Sequence, residues 1–149
     1  MNNEITLEPG NALAYVDGSY NDEKKKFSYG VVLFYNTGSG TEETELSKAF
    51  THPELLEMRN VSGEIMGAAE AMKRAKEMGL DHITIYHDYE GIAAWCTGAW
   101  RTKKVWTKKY KAFYDDISKY ISVEFIKVKG HSGDKYNDQA DKLAKQALE

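Results

Sequence analysis

The chain has 149 residues, of which 42% are hydrophobic and 29% charged, the size and balance of one globular domain with one core. No window is apolar enough to cross a membrane, and the first ten residues, MNNEITLEPG, lack the basic and apolar regions of a secretory signal. Cys96 is the only cysteine, which excludes a disulfide framework and a cysteine zinc site. We therefore expect a cytoplasmic protein that does not bind a membrane.

The net charge of −3 does not by itself indicate a nucleic-acid partner, but the charges are unevenly distributed. The basic stretch RTKKVWTKKYK, residues 101–111, has six basic residues and no acid. A local patch of this kind can attract a polyanion even on an acidic chain. A solvated helix face explains the same residues equally well, so both interpretations stay open.

Apolar periodicity and turn residues predict nine elements. Three early strands, at residues 12–19, 27–36 and 44–50, are joined by short loops and should pair antiparallel. A helix from a Ser62 cap to about Met78 follows, closed by Gly79. The remainder predicts a strand at 82–88, a short helix ending near Gly98, a helix at 104–120, a strand at 122–130 and a helix at 135–148.

This order predicts an α/β fold whose five-stranded mixed sheet has antiparallel strands first and parallel strands afterwards, with helices on both faces. Residues 1–149 are expected to form a single domain, with residues 1–11 as a flexible N-terminal extension.

Carboxylates occur where such a sheet would bring them together. Asp17 and Asp88 each end a predicted strand, and Glu64 lies in a predicted first helical turn beside the apolar stripe. Each has a plain structural explanation as a turn residue, a helix cap or an acid near a helix N-terminus.

The segment KGHSGDKYNDQADKLA, residues 129–144, contains three aspartates. Helical spacing places Asp141 beside the buried stripe, Asp138 near the opposite face and Asp134 in a turn or cap. Only Asp141 is therefore expected to reach the sheet edge. Because clustered carboxylates repel one another, four of them together indicate a site for hard cations such as Mg²⁺. A pair of such ions suits phosphodiester cleavage.

Four segments occur in order and span nearly the whole chain from residue 12: YVDGSY, SGEIMGAAEAM, IYHDYEGIAAW and VKGHSGDKYNDQADKLA. Together they resemble the catalytic domain of type 1 ribonuclease H, most closely the bacterial ribonuclease HI forms that often carry an N-terminal hybrid-binding domain. No such domain is expected in this chain.

The resemblance implies a ribonuclease H-like fold and a monomer that hydrolyses the RNA strand of RNA–DNA hybrids endonucleolytically. It implies two Mg²⁺ ions, with Mn²⁺ as a substitute, and products with 5′-phosphate and 3′-hydroxyl ends. Asp17 would bridge both ions, Glu64 and Asp88 would complete one site, and Asp141 the other. His131 would help to activate water or release product; a loop histidine without that role is the alternative.

The resemblance also implies substrate contacts. Asn60 would contact RNA 2′-hydroxyl groups, and the backbone of Gly18 and Ser19 would lie close to the RNA strand. Trp95 and Trp100 would pack against the DNA sugars, although Trp95 fits a core position equally well.

Two positions depart from the family pattern. Glu90 stands where many members have glutamine. Arg59 stands where threonine is expected; arginine could still bind a phosphate, but with a geometry different from that of threonine. The chain is also too short for the long basic handle of some relatives, which the basic stretch would partly replace. Hybrid binding should then be strongly salt-dependent. A non-catalytic hybrid-binding module and a related-fold nuclease acting on DNA remain alternatives.

Overall fold

A computed structural model describes residues 5–52, 58–128 and 134–149, without the side chain of Asn60. The elements follow the predicted order: β1 (Asn11–Asn21), β2 (Lys26–Tyr35), β3 (Glu42–Phe50), α1 (Asn60–Glu77), β4 (His82–His87), α2 (Gly91–Thr97), α3 (Val105–Ile117), β5 (Ser122–Lys127) and α4 (Lys135–Ala147).

The five strands form one sheet in the order β3-β2-β1-β4-β5. The pairs β1–β2 and β2–β3 are antiparallel, because short turns join them, whereas β1–β4 and β4–β5 are parallel and joined through helices. The predicted mixed sheet is confirmed.

The two faces of the sheet carry separate apolar clusters. Alternate residues of β2 point to opposite sides, so Val31 belongs to one cluster and Val32 to the other. The larger cluster includes Ile65 and Met72 of α1, and the smaller one includes Ala140 of α4. Helices α1 and α4 therefore cover opposite faces, as predicted.

The start of α1 differs from the prediction. Ser62 is fully buried inside the helix and is not its cap, because the chain enters the helix two residues earlier, at Asn60. Arg59 occupies the N-cap position with φ 51° and makes no side-chain capping bond. Glu64 consequently lies one turn into α1, beyond the first turn.

The segment before β1 contacts the domain from Ile5 onward. Ile5 and Leu7 pack against the smaller cluster, the Leu7 amide donates to Thr41 Oγ1 at 2.9 Å, and Asn36 donates to the Leu7 carbonyl at 2.8 Å. Residues 5–10 therefore contact the domain, and Asn11 already belongs to β1. Within the described ranges, no helix has both the length and the apolar character needed to cross a bilayer.

Candidate active site

The site lies where the parallel strands β1 and β4 separate. Their pairing runs from Asn11 with His82 to Tyr15 with Tyr86, and β1 then continues beside β2. Asp17 and Asp88 each lie two residues beyond the last pair. Both acids are therefore at the carboxyl ends of parallel strands, where α/β sheets form a crevice.

Glu64 reaches this crevice from α1. Its side chain is 2% exposed, and Oε2 accepts hydrogen bonds from the amides of Asp88 at 3.0 Å and Tyr89 at 3.2 Å. Burial raises the pKa of Glu64 to about 8, against the opposing effect of these amides, and the charges of Asp17 and Asp88 add to the increase. Glu64 thus fixes the turn after β4 while remaining close to two other acids.

Asp17 and Asp141 form the second pair of acids. Burial raises the pKa of Asp17 to about 7, and the Gly18 amide, which donates to Oδ1 at 2.9 Å, opposes this rise. The neighbouring carboxyl group of Asp141 raises this pKa further, as does the charge of Asp88. Asp141 in turn lies 3.0 Å from Lys145 Nζ through its Oδ2 atom.

Two glycines allow the helices to approach Asp17 from opposite faces. Gly30, the partner of Asp17 in β2, contacts α4, and a side-chain carbon there would collide with the carbonyl oxygen of Ala140. Gly63 of α1 contacts β2 on the other face, and a carbon there would collide with the carbonyl oxygen of Ser28. Glycine inside a strand or helix can mark such a close approach.

The donor set fits a hard divalent cation. Among the described residues, no three acidic, histidine or cysteine side chains already form a ready-made metal group. Glu64 is engaged by two amides and Asp141 by Lys145. Neighbouring carboxyl groups are nevertheless the oxygen ligands that a divalent cation prefers, and it would offset the burial and mutual repulsion that raise the pKa values of Asp17 and Glu64. We call Asp17, Glu64, Asp88 and Asp141 the four-acid site.

Comparison with known proteins gives the family of the chain. The family model for RNase H matches residues 9–149. The chain belongs to the ribonuclease H family. Ribonuclease H of Clostridium botulinum is 31% identical over 152 residues, which cover 92% of this chain and 95% of that protein. The resemblance read from the sequence is confirmed, and the chain is a ribonuclease H enzyme.

Solved ribonuclease H structures share the fold. RNase H1 from the archaeon Halobacterium salinarum superposes with a TM-score of 0.73 at 22% identity, covering 93% of this chain and 97% of that one. LC11-RNase H1, solved in complex with an RNA/DNA hybrid, gives a TM-score of 0.68 at 17% identity, covering 93% and 99% of the two chains. The ribonuclease H-like fold predicted from the sequence is therefore confirmed.

The three aspartates of 129–144 have different positions in this ribonuclease H. Asp134 caps α4 by accepting hydrogen bonds from the amides of Tyr136 and Asn137, at 3.0 and 3.2 Å. Asp138 is exposed, and Asp141 faces Asp17. His131 lies outside the described residues.

The residues that the resemblance assigns to RNA contacts lie within a few positions of the four acids along the chain. Gly18 is buried and Ser19 half-buried, both on β1 directly after Asp17. Arg59 is exposed at the start of α1, with its guanidinium 5.9 Å from the centre of the Tyr20 ring. Asn60 is the first residue of α1, and Glu90 is exposed at the start of α2.

An aromatic triangle lies beside Asp88. Tyr89, Trp95 and Trp100 have ring centres 5.8 Å apart in all three pairs. Trp95 is 9% exposed and belongs to the core, so the structure favours the core alternative for it, while Trp100 is half-buried. Tyr89 is 38% exposed. The sequence analysis did not name it as a candidate site residue, although it lies between two residues that were named, Asp88 and Glu90.

The basic stretch presents fewer free cations than its sequence indicates. Arg101, Lys103 and Lys108 are exposed. Lys109 lies over the Trp106 ring at 4.3 Å, and Lys111 donates to the Cys96 carbonyl and to Asp115.

Proposed function

We propose that this ribonuclease H hydrolyses the RNA strand of RNA–DNA hybrids endonucleolytically, leaving 5′-phosphate and 3′-hydroxyl ends. The observation that carries the proposal is the meeting of acids from separate elements: buried Glu64 accepts from the Asp88 amide, and Asp17 lies close enough to Asp88 and Asp141 for both to raise its pKa. Such a group of acids suits cation-dependent phosphodiester chemistry. The hybrid bound to the fold relative LC11-RNase H1 supports the substrate class.

The four acids would hold two Mg²⁺ ions, with Mn²⁺ as a substitute. When bound, these ions supply the charge that activates water and stabilises the leaving oxygen. Asp17, which interacts with the other three acids, is suited to the bridging position. The Gly18 amide orients Asp17, and Glu64 orients the backbone that carries Asp88. His131 would assist with water activation or product release.

One set of residues would contact the RNA strand of the hybrid and another the DNA strand. On the RNA strand, Gly18 and Ser19 would approach the backbone, Asn60 would read 2′-hydroxyl groups and Arg59 would bind a phosphate, with Glu90 nearby. On the DNA strand, Trp100 offers a half-buried ring and Trp95 supports it from the core. We further propose that the enzyme acts as a monomer in the cytoplasm.

The test is cleavage of end-labelled RNA–DNA, RNA–RNA and DNA–DNA duplexes of one sequence, with Mg²⁺ or Mn²⁺. We expect internal cuts in the RNA of the hybrid alone, with 5′-phosphate ends. Hybrid binding without cleavage in either metal would instead indicate a binding module. Cleavage of the DNA duplex would indicate a related-fold DNA nuclease.

A further inference from the structure

Lys145 has no part in the mechanism above, yet it contacts the four-acid site. It lies one turn after Asp141 on α4, with Nζ 3.0 Å from Asp141 Oδ2. The Lys145 side chain is 63% exposed and that of Asp141 28%, so the ammonium group approaches the site from solvent.

The charge of Lys145 acts on more than its direct partner. Its electrostatic interaction extends to Asp17 as well as Asp141. The main charge effects on Asp17 and Glu64 come from neighbouring carboxylates. Among the ion pairs of the described ranges, this is the one that includes a member of the four-acid site. Lys145 therefore brings a single positive charge to an acidic group.

We propose that Lys145 is a tethered counter-ion that weakens divalent-cation binding at the four-acid site. This rests on the proposed function, since it assumes that the acids bind metal. The ammonium group engages an oxygen that a cation would use, and it repels a divalent charge nearby. An exposed ion pair of this type contributes little stability, so a divalent cation can displace it.

The alternative is an i,i+4 pair that only stabilises α4. The two explanations predict different effects of Lys145 on the affinity for cations. A helix-stabilising pair leaves cation affinity unchanged or improves it by ordering Asp141, whereas a counter-ion lowers it. Charge repulsion at a partly exposed site corresponds to a change in affinity on the order of three- to tenfold.

The experiment is calorimetric titration of the nucleic-acid-free protein with Mn²⁺ or Mg²⁺ alone, which needs no cleavage. The variants are Lys145→Gln, Lys145→Arg and the control Lys142→Gln. Lys142 is exposed on the same helix, and no ion pair is found for it among the described residues. We expect Lys145→Gln to bind cation about three- to tenfold more tightly, with the other two within about twofold of wild type.

Unchanged or weaker cation binding by Lys145→Gln would overturn the inference. In an Asp141→Asn background, the effect of Lys145→Gln should fall below about twofold, since the shared oxygen is neutral. A full effect there would overturn the role of Asp141 as the contested ligand. If wild type itself binds no cation, the proposed metal site fails and the inference falls with it.

Discussion

At the scale of single residues, Asp17 and Glu64 keep their protons to higher pH than ordinary carboxyl groups in the metal-free protein. The pKa of Asp17 is raised by burial to about 7 and that of Glu64 to about 8. Unfolding returns both groups to their ordinary, lower pKa values, so the native state holds more protons than the unfolded state between about pH 4 and pH 8. The contribution of these two groups to stability therefore falls as the pH rises through this window.

Asp17→Asn tests this linkage. We expect the ionisation of Asp17 to lower the free energy of unfolding of the wild type in EDTA, measured with urea, between pH 5 and pH 8. Asn cannot ionise, so the decrease should be smaller in Asp17→Asn, while the exposed control Asp138→Asn should behave as wild type. The same pH dependence in the wild type and in Asp17→Asn would contradict the raised pKa of Asp17.

Helical periodicity alone was enough to separate Asp141 from Asp134 and Asp138. It did not identify Lys145, although the i,i+4 spacing from Asp141 was visible in the sequence. The contribution of Trp95 could not be decided from sequence, because the same apolar ring suits a core and a nucleic-acid surface. That decision required the burial given by the folded chain.

At the scale of elements, close contact of two helices with the sheet positions the acids. Gly63 and Gly30 occupy these contacts, and a methyl group at either would meet backbone atoms that cannot rotate away. We expect Gly63→Ala and Gly30→Ala each to lower the free energy of unfolding by about 2 kcal/mol or more.

Gly67→Ala is the matched control for Gly63→Ala. Gly67 is on the same helix, where an added carbon would lie 3.0 Å from Tyr29 Cβ, a tight contact with a side-chain atom. Its cost should stay below about 1 kcal/mol, since alanine also favours the helix. Denaturant unfolding of the three variants measures the difference, and equal costs at Gly63 and Gly67 would refute the backbone-contact explanation.

Element order was predictable because helical and strand periodicities alternate clearly along the chain. The end of β1 and the start of α1 could not be predicted in the same way. The Asp-Gly pair at residues 17–18 resembles a strand end, but pairing with β2 carries β1 to Asn21. Ser62 resembles a helix cap, but the helix begins after Arg59. Arg59 has a positive φ, which is uncommon for arginine and could not be predicted from the sequence.

At the scale of the whole molecule, the fold combines an acidic site with a basic stretch on a chain of net charge −3. If the basic stretch binds hybrid phosphates, the combined variant Arg101→Ala, Lys103→Ala, Lys108→Ala should bind hybrid more weakly. The slope of log affinity against log salt should become shallower by about one per lost phosphate contact.

Fluorescence anisotropy across a salt series, in Ca²⁺ or without metal to prevent cleavage, gives this slope. The control Lys73→Ala, Lys119→Ala removes two exposed lysines outside the basic stretch, so its slope is compared per charge removed. The same slope in wild type and the basic-stretch variant would show that these residues form a solvated helix face.

The central claim is that four acids from separate elements form one hydrolytic site. It is tested most directly by single-turnover cleavage of a labelled hybrid in Mg²⁺, comparing Asp17→Asn, Glu64→Gln, Asp88→Asn and Asp141→Asn with wild type. Each variant should cleave on the order of a hundredfold or more slowly while still folding and binding hybrid, and Asp138→Asn should cleave normally. A near-wild-type rate in any of the four would contradict the claim by removing that acid from the site.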